Sequence, residues 1–173
     1  MANICRTKII IKSTPSAVSD FVTRFDNCDD GKYPPDPGIS HIVDEFGWDG
    51  ELFIDRVGSK WVTKYDGGIS YYGGESDDEV TLNLESAWYS PSDMIKEIYR
   101  QFTLIYPETR IYGEYWDEGY APIGVFELYN GIIIEEEQVV ENEETEMEYF
   151  WGDVIEPTFE SLRKKLDETL KYI

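Results

Sequence analysis

The sequence predicts an α+β fold, an antiparallel sheet with helices packed on one face. Three observations carry that expectation. A strand–helix unit runs from Val80 to Ile105, a second strand–helix unit opens the chain, and Asn130-Gly131 sits between two apolar runs. Strand, helix, strand and hairpin in that order favour helices gathered on an antiparallel sheet. The 173 residues suit a single domain over residues 1–173 with a substantial core.

The opening unit begins with Cys5–Lys12, a β-branched run suited to a buried strand. Thr14 and Pro15 then supply an N-cap and a first-turn proline. Ala17, Val18, Phe21, Val22 and Phe25 recur at helical spacing. Residues 27–38 form a proline- and glycine-rich loop. Its acids Asp29 and Asp30 lack the spacing and the distal glutamate of a calcium loop, so no metal site is expected. His41, the single histidine, has no Ser or Cys tied to it by sequence.

Glu51–Asp55 and Lys60–Tyr65 read as short strands, with Gly67-Gly68 and Gly73-Gly74 as turns. Neither a dinucleotide-binding nor a Walker glycine pattern is present. In Val80–Trp88, Val80, Leu82 and Leu84 alternate with Thr81, Asn83 and Glu85, as in a half-buried strand. Ser90-Pro91-Ser92-Asp93 reads as a capping-box variant. Ile95, Ile98, Tyr99, Phe102 and Ile105 give the following helix its apolar stripe, which Pro107 ends. Thr109–Glu118 and Val125–Tyr129 read as strands. Asn130-Gly131 signals a tight hairpin into Ile132–Glu137. An acidic strand, hairpin or loop is expected over 132–150, then a helix over about 153–171. Phe159, Leu162, Leu166 and Leu170 form that helix's stripe. The stripe is expected on the sheet; a dimer contact is the alternative, which leaves monomer and homodimer both open.

Charge is the strongest functional signal. The net charge is −21, and from Ile111 to Leu162 there are fifteen acids and no lysine or arginine. A small soluble domain is well served by a magnitude of about 2–8. Such a charge repels phosphates, which disfavours nucleic acid as a direct partner, and its natural complement is a basic protein surface. Glu144, Glu146 and Glu148 would share one face of a strand about 6.8 Å apart. Phosphates along one DNA strand repeat about every 3.4 Å, so such an edge samples every second phosphate. A solvated acidic loop is the competing reading.

The expected binding residues are Glu135, Glu136, Glu137, Glu141, Glu143, Glu144, Glu146, Glu148, Asp117 and Glu118. No catalytic residues, cofactor or metal are assigned. Two alternatives remain: an adaptor that binds through exposed aromatics, and a hydrolase built on Glu114, Asp117 and Glu118 beside Tyr112 and Tyr115. Cys5 and Cys28, without a signal peptide pattern, read as reduced thiols. No segment approaches the ~18 apolar residues of a membrane span, so a cytoplasmic location is expected.

Several short motifs resemble the Api92/YubB-like group of phage and plasmid proteins. They are Ser86-Ala87-Trp88, Pro91, a helix ending in Tyr106-Pro107, then Tyr115, Glu118-Gly119, Gly124 and Gly131. Met1–Cys5 is similar to that group's opening, with Ile4 in place of a tryptophan. Trp116-Asp117 adds one residue to the Tyr-x-Glu spacing. The resemblance covers about a third of the chain, mainly residues 80–131. It implies a ferredoxin-like sheet and a mobile-element origin, and brings no catalytic residues with it. Charge and resemblance together suggest a DNA-mimic inhibitor of a host nuclease or defence complex, such as an anti-restriction or anti-CRISPR protein.

Overall fold

The structure is a computed structural model that describes residues 4–26, 59, 62–70, 77–117, 122–140 and 151–172. Strand β1 (Ile4–Lys12) leads into helix α1 (Pro15–Asp26), and β2 (Val62–Ser70) and β3 (Glu79–Ala87) follow. Helix α2 (Ser92–Thr103) connects β3 to β4 (Arg110–Asp117). Strands β5 (Ile123–Tyr129) and β6 (Ile132–Gln138) form the hairpin, and a π-helical turn at Trp151–Ile155 opens α3 (Glu156–Leu170). The sheet order is β2-β3-β1-β4-β5-β6, with every neighbouring pair antiparallel. Its first four strands, with α1 and α2, form two interleaved βαβ units, the ferredoxin-like arrangement. Strands β5 and β6 widen that sheet beyond β4.

Strand alternation divides the apolar residues between two cores. Ile9, Ile11, Leu82, Leu84, Ile111, Phe126 and Leu128 face α1 and α2, where Phe21, Ile95, Ile98 and Phe102 meet them. Phe21 and Phe102 pack edge to face at 5.2 Å between ring centroids. Ile123, Val125 and Ile134 point the other way and are covered by Phe159, Leu162 and Leu166 of α3.

The expected sharing of one face thus holds for α1 and α2, whereas α3 lies on the opposite side. The reason is the widened sheet: β5 is apolar at successive positions, and its second face needs cover. The stripe of α3 packs on the sheet as expected.

Four local expectations are corrected. Strand β1 is buried on one face only, leaving Lys8 and Lys12 exposed where α3 does not reach. Helix α2 begins at Ser92 with Pro91 at the N-cap and no side-chain cap. The Ser90 hydroxyl instead accepts from Thr7 Oγ1 at 3.3 Å. The helix also stops at Thr103, because Pro107 disfavours helical backbone at Tyr106. Ile105 therefore stands 60% exposed in a turn rather than in the stripe. Gly67 and Gly68 lie within β2, at its register shift between Lys64 and Ile69.

Other expectations held. Ala17 N donates to Thr14 Oγ1 at 3.3 Å, so Thr14 caps α1. Asn130 and Gly131 both have positive φ, 51° and 75°, the backbone of a type I′ hairpin. Gly131 N donates to Tyr99 Oη at 2.9 Å, which ties the hairpin to α2. The 27–38 loop, Cys28, His41, Glu51–Asp55, Lys60, Trp61 and Gly73-Gly74 lie outside the described residues. Among the described residues, no helix is long and apolar enough to cross a membrane.

Candidate functional site

The sheet register builds an acidic cleft from residues far apart in sequence. Thr7 pairs with Tyr115, Tyr115 with Gly124, and Gly124 with Glu137, a row across four strands. Because Gly124 has no side chain, the Tyr115 ring lies flat over it and reaches past β5 to β6. Its hydroxyl sits 2.6 Å from Glu137 Oε2 and 2.9 Å from Glu135 Oε1. One proton serves two carboxylates, so the hydroxyl donates to one of them at a time. Burial, then the hydrogen bond to Glu137 and the Glu135 charge, push the Tyr115 phenol far above the ordinary tyrosine range. Tyr115 thus stays a neutral donor.

The adjacent row mirrors this arrangement. Phe126 covers Gly113 from the facing strand, and Glu135 pairs with Phe126 in the register. The Tyr115 and Phe126 rings stack at 6.4 Å. Two glycines, each under an aromatic ring from the neighbouring strand, fix both rings on the α1–α2 side of the sheet.

The opposite wall is the corner between β3 and α2. Ser86 Oγ donates to Tyr89 O at 2.7 Å, and Ser59 Oγ donates to Ala87 O at 2.8 Å. The corner holds Trp88 at φ 67°, a region that side-chain-bearing residues seldom occupy. Trp88 is 43% exposed and Tyr89 65%. With Tyr115, Pro122, Glu135 and Glu137 they line an open cleft of about 140 Å3. Among the described residues, neither lysine nor arginine lines it.

The expected binding residues separate accordingly. Glu135 and Glu137 enter the cleft, whereas Glu136 points to the α3 side of β6. Asp117 is 3% exposed and cannot meet a partner, which corrects its inclusion. It faces Cys5 across the register, and burial pushes the Cys5 thiol up to about 12. Glu118, Glu141, Glu143, Glu144, Glu146 and Glu148 lie outside the described residues.

The carboxylate pair considered for hydrolysis does not form between Glu114 and Asp117. Three residues apart on one strand, they face opposite sides of the sheet. Glu114 instead meets Arg163 of α3 at 2.5 Å and accepts from Tyr112 Oη at 2.8 Å. No cluster of three metal-ligating side chains exists among the described residues. Trp88, Tyr89 and Tyr115 are cleft residues that were not among the expected binding residues. The two strand glycines were the available signal, since a glycine inside a strand marks close approach of another group.

Fold and cleft together define an acidic α+β protein with a ferredoxin-like sheet widened by a hairpin. Residues 69–154 match the family model described as the ferredoxin-like domain in Api92-like protein, and through that domain the chain belongs to the Api92-like family. A crystal structure of the protein Api92 from Yersinia pseudotuberculosis is similar over 84% of this chain and 100% of that one, at 8% identity and a TM-score of 0.50. That likeness is one of fold. No curated protein matches the chain.

Proposed function

We propose that the protein is an acidic interaction protein of a mobile element, which occupies the basic surface of a host DNA-binding or defence protein as a DNA mimic. One observation carries the reading. Glu135, Glu136 and Glu137 form no ion pair with any described residue, although they are consecutive on β6, in the middle of the base-free acidic stretch. Carboxylates with no cation beside them among the described residues favour a partner that supplies one, and they steer its approach. The remaining acids from Glu141 to Glu148 extend the same charge along the sequence.

The test is capture of host DNA-binding proteins on the immobilised chain, with release by rising salt and by duplex DNA. A partner that both treatments displace is the expected result. A partner that stays bound through both would overturn the mimic reading. Exposed Trp88 and Tyr89 favour a second reading, an adaptor that binds mainly through aromatic contact. Charge reversal at Glu144, Glu146 and Glu148 separates the two: a mimic loses its partner, and an aromatic adaptor keeps it.

A further inference from the structure

We propose that the cleft between Trp88-Tyr89 and Glu135-Glu137 receives one arginine side chain of the protein partner. The assignment rests on the reading of a basic partner and names the group that the cleft takes from it. Three features of the cleft select that chemistry. Glu135 and Glu137 both lie within hydrogen-bond reach of the single Tyr115 hydroxyl, so two like charges are held close together with no cation among the described lining residues. Such a pair is relieved by a positive group placed between its members. The facing wall is aromatic, with Trp88 and Tyr89 both exposed to the opening.

Aromatic faces attract organic cations, and a planar guanidinium stacks on them while donating to two carboxylates at once. An ammonium group is a point charge and satisfies only part of this arrangement. A metal ion fits less well, because no third ligating side chain joins the two glutamates among the described residues. Tyr115, fixed over Gly124, holds the carboxylates in place before the ligand arrives.

The experiment titrates the full-length, 15N-labelled chain with N-acetyl-arginine amide at low salt. It follows the Trp88 indole N–H and the amide signals of Glu135 and Glu137. The uncharged isostere N-acetyl-citrulline amide is the control ligand, and a Glu135→Gln/Glu137→Gln double variant is the control protein. Saturable shifts with the arginine amide alone are expected, with affinity about tenfold weaker in the double variant. Glutamine keeps the size of glutamate and an oxygen that accepts from Tyr115, so the fold is expected to be retained. Citrulline amide shifting the same signals, or the double variant binding as tightly as the parent, would overturn the assignment. So would calcium alone producing the same shifts at a lower concentration than the arginine amide.

The broader reading fails separately. Arginine amide bound in the cleft, with no basic partner captured, supports the ligand class and removes the mimic. A partner captured equally by the parent and the double variant overturns the cleft and leaves the mimic standing.

Discussion

Tyr115 spans three strands because Gly124 leaves the ground beneath its ring empty. A Cβ at position 124 would overlap that ring, and one at position 113 would overlap Phe126. Both rings are buried and cannot swing aside without disturbing the α2 side of the core. Gly124→Ala is therefore expected to cost about 1–3 kcal/mol in urea unfolding, as overpacking does. It should also lift Tyr115 away from Glu135 and Glu137 and weaken binding of the arginine amide. Cys5, at the buried end of the same region, gives a reactivity prediction. Burial holds its thiol near 12 against an ordinary value of 9.0. The stability this contributes is fully present below pH 9.0 and is lost as pH rises toward 12. At pH 8, Cys5 should resist iodoacetamide in the folded chain and react once urea unfolds it, read by peptide mass mapping.

Helix α3 is held by its apolar stripe far more than by its charges. Leu162 is fully buried against the sheet, between Phe159 and Leu166. Leu162→Ala should cost about 2–5 kcal/mol. Arg163 beside it bonds Glu114 and Tyr112 from a position 44% open to water, so Arg163→Ala should cost less than about 1 kcal/mol. Chemical denaturation of the two variants checks the contrast. The stripe itself was legible in the sequence, as were the strand–helix units and the hairpin. Each rests on short-range periodicity or turn chemistry that local sequence determines. The side of the sheet that α3 covers was not legible, since that follows from how many strands lie beyond β4. The cleft was half legible. A two-residue turn at Asn130-Gly131 dictates that Gly124 faces Glu137. The register between β4 and β5 has no such tight turn to fix it, so Tyr115 could not be placed over Gly124 from sequence.

At the scale of the whole molecule, stability and binding should respond to salt in opposite directions. The chain carries a net charge of −21, and its acids are concentrated where it has no bases. Folding brings these charges together, so self-repulsion opposes the folded state. The Debye length shortens from about 30 Å at 0.01 M to about 8 Å at 0.15 M, which screens charges spread across a small domain. The melting temperature should therefore rise as sodium chloride is raised over that range. Binding to a basic partner depends on the same unscreened field and should weaken over the same range. Calorimetric melting and partner binding, measured in one set of buffers, test both arms together. A melting temperature that falls with salt would mean that pairs such as Arg6–Glu85 and Arg110–Glu127 outweigh the repulsion. The acidic stretch would then need no partner to account for it. A rising melting temperature with falling affinity is what a protein shows when its charge burdens its own fold and is relieved on its target.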